Sequence, residues 1–327
     1  MENQLPAKTF CIKVDYAEAT GTHNTQSANL IETLYTEKVP AQLDDPRVRS
    51  TVVGFPCVIF EKATEDSDPV FSSKANFNID KGAEDTFGFN DNYSVESWEF
   101  RNNTEDQCNF LATWDNTKYF LDTFEPRYIT SSESNDYTID DLEDYEDLYK
   151  ASIAEGGTPL TPAEQATLIN IRKSTSHQFK ELHDWVVSTN RAGATGKELA
   201  EPYTAGKDVY THDTADYRLA KFKNEFEDHF DMHFSLVYYI YTFFALMTDQ
   251  RSKNMFLTRW TTTDVNGNRT TKWYPYFYDN DTCWGINNEG YLTFDYYHED
   301  TDQVNGVNVF NGQTNALWIN FRLAFQQ

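Results

Sequence analysis

Cations, cysteine and long apolar runs are all in short supply in this 327-residue chain. Lys and Arg total 27 against 52 Asp and Glu, a net charge of −25 at pH 7. Phosphate recognition depends on cationic surface, so this balance argues against a nucleic-acid binder and equally against a protein that rests on an anionic membrane. Four cysteines, Cys11, Cys57, Cys108 and Cys283, stand far apart with no CxxC pair, which excludes a zinc knuckle and a disulfide framework and leaves buried thiols as the expectation. The longest apolar run, around "FSLVYYIYTFFALM", is too short and too rich in Tyr to span a bilayer and reads as a buried helix. The opening "MENQLPAKTFCIKVDY" lacks the charged-then-apolar pattern of a leader, so synthesis and residence in a cytoplasm are expected. No period of about 20–50 residues recurs, which excludes a solenoid or a propeller.

Aromatic residues are plentiful. They make up 16% of the chain, with 20 Tyr and 24 Phe, far more than a disordered acidic chain carries, so the negative charge coats a folded protein. The length suffices for a large core in one two-lobed domain or two smaller ones, and no convincing boundary divides the chain.

Along the chain, "TFCIKVDY" (9–16) alternates like a half-buried strand, and "GTHNTQSANLIETLY" offers Thr22 or Asn24 as the cap of a following helix. "TVVGFPCVIF" and "VFSSKANFNI" read as a hairpin joined by "EKATEDSDP", and "YSVESWEFRNN" as a further strand. From Ser131 the chain turns acidic, with eight Asp and Glu between Glu133 and Asp147. This is either a solvated insertion or an arm that docks a basic partner. "TPAEQATLINIRK" and "HQFKELHDWVVSTN" read as helices, the first with Pro162 in its opening turn, and "RAGATGKELAEPYTAGKD" as a surface loop. Phe222, Phe226, Phe230, Phe234, Val237 and Tyr241 then mark one helix over roughly 215–247 that packs into a core.

That helix runs into "DQRSKN" (249–254), six polar residues between two apolar stretches. "MFLTRWTTT" and "TTKWYPYFY" follow as strands around Asn266-Gly267, a strong hairpin signal, and the return strand ends at "DNDTCWG" (279–285). A hairpin brings the two polar loops side by side. Asp249, Asn254, Asp279 and Asp281 would then form an all-oxygen set suited to Mg²⁺ or Mn²⁺. An Asp, an Asn five positions on, a hairpin and a metal-binding Asp is also the order of parts in kinase catalytic machinery. Asp and Asn equally favour turns and helix ends for local hydrogen-bonding reasons.

Other motifs carry less. "HFDMH", His229 to His233, has a two-His spacing but no Glu after the first His, and reads as core-edge residues of a packed helix. No G-x-S-x-G elbow supports a Ser hydrolase. Lys74 and Lys81 flank "ANFNID", where a structural role outweighs phosphate contact. The aromatic tail "GYLTFDYYHEDTDQVNGVNVFNGQTNALW" either packs on the helical part or forms an interface.

"WYPYFYDNDTCWG" and "DQRSKN" resemble the D-x-D strand and catalytic loop of the CotH spore-coat protein kinases. "IKVDYAEATGTHNTQSANLI" is similar to that family's Lys-bearing strand and helix, and "GFPCVIFEK" with "VFSSKANFNIDK" to the next hairpin. "KANFNIDK", "SWEFRNNT" and "FYDNDTCWGINNEG" most resemble CotH-like proteins of tailed bacteriophages, which are taken as virion or tail-associated components. The resemblance implies an α+β, atypical protein-kinase-like fold over 1–327. Its parts would be a β-rich N-lobe-like portion (1–130), an acidic and helical insertion (131–213) and a C-lobe core (214–327). It implies Asp249 as the acceptor of a substrate hydroxyl proton, Asn254 and Asp279 as metal ligands, and Asp281 as support for a second ion. It also implies Lys13 as the phosphate-contacting lysine with Glu32 as its partner, and Mg²⁺ and ATP as cofactors. Only "MENQLPAKTFCI" precedes Lys13, so the phosphate-covering hairpin of a kinase has no counterpart there and the upper lobe is expected to be truncated. The setting implied is a virion, with other virion proteins as partners in an oligomer or a multi-protein assembly, and with no nucleic acid or membrane bound.

Overall fold

The structure is a computed structural model that describes residues 11–13, 22–44, 46, 51, 54–78, 107–111, 139–173, 175–200, 203, 209–247, 250–251, 255–277, 280–286, 301–304, 307–310 and 315–326. Helices and small antiparallel sheets mix in the α+β manner expected. The strand expected at 93–103 and the acidic residues before 139 lie outside the described residues, as does Lys81.

The first unit is β1 (Cys11–Lys13) followed by α1 (His23–Leu34) and a short α2 (Pro40–Asp44). The expected hairpin forms from β2 (Gly54–Glu61) and β3 (Val70–Asn78), and β3 lies centrally in the order β1-β3-β2. A bulge at Ile59/Phe60 shifts its register. Cys57 in β2 is half-buried rather than the buried thiol expected, whereas Cys283 is buried; both are free.

One strand had no local signature. β4 (Gln107–Leu111) pairs antiparallel with β5, from Gln107↔Trp260 to Leu111↔Phe256. Five residues whose partner is remote in sequence carry no pattern that marks them beforehand. Part of the acidic stretch is helical: α3 (Ile139–Ile153) exposes Leu148 and Ile153 as well as its acids. α4 (Pro162–Lys173) opens on a reciprocal capping box, in which Glu164 Oε2 accepts from Thr161 N at 2.7 Å and Thr161 Oγ1 accepts from Glu164 N at 3.3 Å. α5 (Thr175–Thr189) follows.

The Gly/Ala/Pro excursion is anchored rather than loose. Asp213 accepts from Arg218 Nε at 2.6 Å and Nη2 at 2.8 Å, and from Thr195 N and Oγ1 at 3.1 and 2.8 Å. The Arg218 bonds, with those from Thr195, hold its carboxyl well below the usual carboxylate range.

The long helix expected over 215–247 is two helices, α6 (Ala215–His229) and α7 (Met232–Phe244). Phe230 takes an extended backbone and bridges Trp273 in parallel, and Asp231 N–H donates to the Trp273 carbonyl at 3.2 Å. Asp231 then caps α7, accepting from Phe234 N at 3.2 Å. The aromatic stripe runs through the break because Phe226, Phe230 and Phe234 stay buried on both sides of it. "HFDMH" therefore straddles two helices, and its histidines do not share one helical face.

β5 (Met255–Thr263) and β6 (Arg269–Phe277) form the expected hairpin. Its turn differs from a two-residue Asn-Gly turn. Asp264 N donates to Asn268 O at 2.9 Å, Gly267 N donates to Asp264 O at 3.0 Å, and Gly267 sits at φ +84°, giving a three-residue loop with a glycine bulge. Asp264 Oδ1 accepts from Asn266 N and Asn268 N, both at 2.8 Å, which explains the preference for the longer loop.

β7 (Thr301–Val304) pairs with β8 (Val307–Phe310), and α8 (Ala316–Phe325) ends the described chain. Asn315 caps α8, and Leu317, Trp318 and Phe321 are buried against α6 and α7. The end of the aromatic tail thus packs into the core. Among the described residues no helix is long and apolar enough to cross a membrane.

Candidate functional site

The end of α7, the β5–β6 hairpin and the start of α1 meet at one place. α7 closes in a Schellman motif, with Leu246 N donating to Phe243 O at 3.1 Å and Met247 N to Thr242 O at 2.8 Å. Leu246 occupies its left-handed position at φ 49°, where glycine is usual, at a cost of about 1 kcal/mol. Trp284, also left-handed at φ 60°, donates its backbone N–H to the Ala245 carbonyl at 2.5 Å. Two non-glycine residues in this conformation, joined across one hydrogen bond, mark the kind of over-determined backbone that clusters at functional sites.

A second tie comes from the hairpin. Met255 pairs with Phe277, so the chain that enters β5 and the chain that leaves β6 emerge from the same end of the ladder. Two independent constraints thus join the described residues on either side of the 249–254 loop to the 280–286 loop. Asp249, Asn254 and Asp279 themselves lie outside the described residues. Asp281 is within them and partly exposed. No group of three or more His, Cys, Asp or Glu that could hold a metal occurs among the described residues.

The polar loop is not uniformly solvated. Gln250 and Arg251 are 0% and 1% exposed. Tyr238 Oη donates to the Gln250 carbonyl, and the Arg251 guanidinium lies 4.3 Å from the Phe243 ring centre and 5.6 Å from that of Tyr239. Burial pulls Arg251 down to about 10, so it is still a cation at neutral pH, held on the aromatic face of α7. This corrects the reading of six polar residues as a plain surface loop, since α7 takes two of them into the core as its lid.

The residues on the upper side are placed as follows. Lys13 lies in β1 opposite Asn76, and its side chain is outside what is described. Glu32, on α1, accepts from Thr51 N at 3.1 Å and Thr51 Oγ1 at 3.3 Å, which ties α1 to the chain entering β2. Tyr35 and Tyr276 are neighbours of that carboxylate, and their phenols are pushed well above the ordinary value, first by burial.

A lock between α1 and the 280–284 loop was not legible in the sequence. Asn24 Oδ1 accepts from Asn280 N at 3.2 Å, Ser27 Oγ lies 3.2 Å from Cys283 Sγ, and Trp284 Nε1 donates to Ser27 Oγ at 3.0 Å. Cys283 Sγ also approaches the Asn280 carbonyl at 2.9 Å. Asn24 reads locally as a helix cap, but Thr22 holds the cap position and Asn24 turns inward, 3% exposed. Its Nδ2 and the Asn280 Oδ1 are buried with no hydrogen-bond partner, leaving a donor and an acceptor in the wall beside Asp281. Asn24→Ala leaves the buried Asn280 N–H unsatisfied, so denaturant unfolding is expected to show a loss of about 1–2 kcal/mol. A change within about 0.3 kcal/mol would show that the bond contributes nothing.

No protein-family model, no curated protein and no solved structure matches this chain. What the site does must be argued from its own geometry and from the sequence resemblance.

Proposed function

We propose that this chain is a structural component of a bacteriophage virion, in a tail, neck or baseplate, built on a CotH-like scaffold. In this reading the α+β architecture is an atypical protein-kinase-like fold with a truncated upper lobe and a mostly helical lower one. The observation that carries the assembly role is the outer surface of the β2–β3 hairpin. Phe55, Val58, Phe60, Val70 and Phe71 are between 46% and 67% exposed, and Phe60 and Phe71 meet edge to face at 6.2 Å. β2 is also an edge strand. Contiguous large apolar side chains on a sheet edge are a liability in a free monomer, and they are retained where another protein covers them. The likeness to phage CotH-like proteins supplies the setting, with other virion proteins as the partners. Quantitative mass spectrometry of purified particles is expected to recover the chain in fixed stoichiometry, and its absence from particles would overturn the proposal.

A second reading is favoured by the convergence of α1, the end of α7 and the two hairpin loops: a Mg²⁺- and ATP-dependent phosphotransferase acting on protein hydroxyls. Asp249 would accept the hydroxyl proton, Asn254 and Asp279 would hold metal, Asp281 would support a second ion, and Lys13 with Glu32 would contact phosphate. Bound Mg²⁺ would neutralise phosphate charge, and the chain's own part would be positioning. Millimolar ATP with Mg²⁺ would then raise Tm, since a ligand present at 100 times its Kd adds about 2.7 kcal/mol, and Asp279→Ala would abolish the shift. No shift in the wild-type chain would end this reading and leave the structural one intact.

A further inference from the structure

α7 contains no Asp, Glu, Lys or Arg, in a chain where those residues make up 24%. A helix apolar on every side belongs in a core, yet one stripe of α7 faces solvent. Leu236, Ile240 and Phe244, four residues apart in turn, are 42%, 56% and 63% exposed. Beside this ridge, α7 and α8 enclose a cavity of ≈ 370 Å³ lined by Leu236, Tyr239, Ile240, Phe243, Phe321, Arg322, Phe325 and Gln326. The lining carries one cation and no acid. Ridge and groove run together for about 12 Å, two to three turns of a helix.

We propose that the α7–α8 groove docks one amphipathic α-helix of a partner protein, whose apolar face covers Leu236, Ile240 and Phe244 and whose flank carries a carboxylate opposite Arg322. Length, area and charge decide for this occupant. At about 150–250 Å² for a large side chain, the three exposed residues leave roughly 300 Å² in water. Even with the groove walls added, this falls short of the about 800 Å² per partner that a stable dimer needs, so a second copy is the poorer fit. One helix with anchors at intervals of three and four residues matches both the ridge and its length. Charge over most of the molecule is negative, but beyond a Debye length of about 10 Å it is screened, and the groove presents Arg322. This deepens the assembly reading by naming the partner's form and rests on it for the partner's source. The test uses the isolated chain, so its failure leaves the hairpin surface and the particle assay untouched.

The probe is a synthetic amphipathic peptide of about 18 residues, long enough to hold a helix, with a Leu/Phe face and a single Glu on its flank, titrated into the full chain by fluorescence anisotropy. Saturable one-to-one binding is expected, weakened about thirtyfold by Ile240→Glu and about tenfold by Arg322→Gln or by replacing the peptide's Glu with Gln. Ile240 is exposed, so the variant should fold with an unchanged circular dichroism spectrum; Leu236→Glu provides an independent second disruption. No saturable binding at millimolar peptide, or binding indifferent to both variants, overturns the proposal. So does self-association of the wild-type chain that Ile240→Glu abolishes, which would assign the groove to a second copy. Binding to phosphatidylcholine vesicles that Ile240→Glu abolishes overturns it as well, in favour of lipid.

Discussion

Phe226→Ala is expected to remove about 3–5 kcal/mol of unfolding free energy, the largest effect of any substitution considered. Phe226 is 0% exposed and stands where three helices meet. It stacks on Phe230 at 5.3 Å and on its own helix touches Phe222 at 5.4 Å. It meets Phe321 and Phe325 of α8 at 5.1 and 5.4 Å, and Trp185 of α5 at 6.4 Å. Truncation removes both the transfer free energy of the ring and the contacts its neighbours made with it. Those neighbours lie on separate helices whose packing prevents collapse into the void. Natural domains are stable by only about 5–15 kcal/mol, so the urea midpoint should fall far enough to leave the variant near its threshold at 37 °C. Phe226→Leu, which keeps much of the volume, should lose less. A loss under about 1 kcal/mol for Phe226→Ala would mean that α8 does not close this core.

The second large effect is a dependence of stability on pH between about 6.5 and 4. His229, the last residue of α6, lies against the Trp185 indole with ring centres 4.2 Å apart. Burial pulls its pKa down to about 4; the Asp228 charge acts in the opposite direction and Lys221 adds to the depression. The sign follows from linkage. In the unfolded chain this imidazole binds a proton near pH 6.5, whereas in the folded chain it stays neutral until about pH 4. Between those values the unfolded state holds more protons, so stability falls as the pH is lowered through the window, by on the order of 2–3 kcal/mol. Glu225, half-buried and bonded to Trp185 Nε1 at 3.1 Å, has a raised pKa and so contributes in the opposite direction at the acid end. The clean measurement is the difference between wild type and His229→Gln in denaturant midpoint at pH 7.5 and at pH 4.5. The wild type should lose the extra stability and the variant should not. Parallel profiles would place the imidazole in solvent.

Several parts of this fold could be read from residues close together in the chain. Thr161 and Glu164 announce the start of α4 because a capping box acts over three residues, and Asn266-Gly267 announces a turn because only a few residue types tolerate its backbone. The hairpin of β2 and β3 was legible from alternation and a polar connection. The exact form of the second turn was not, because the Asp264 side chain competes for the backbone N–H groups that a two-residue loop would have used. At the candidate site the order of motifs was legible, as was the joining of the two loops by a hairpin. The burial of Arg251 was not, because a guanidinium in a polar run looks solvated until the aromatic face that receives it is known.

The sequence by itself determined the acidic surface, the aromatic core, the α+β class and the helix and hairpin that bracket residues 249–254. Tertiary structure alone decided that the aromatic stripe breaks at Phe230 and Asp231 to bond with Trp273, and that Gln107–Leu111 is a strand. It also decided that Asn24 is joined to Asn280 across 256 positions and that one apolar stripe of α7 is left facing water. The division has one physical cause. Caps, turns and periodicity act between near neighbours, whereas a strand without its ladder, a buried polar atom and an uncovered helix face are defined only by what the rest of the chain brings against them.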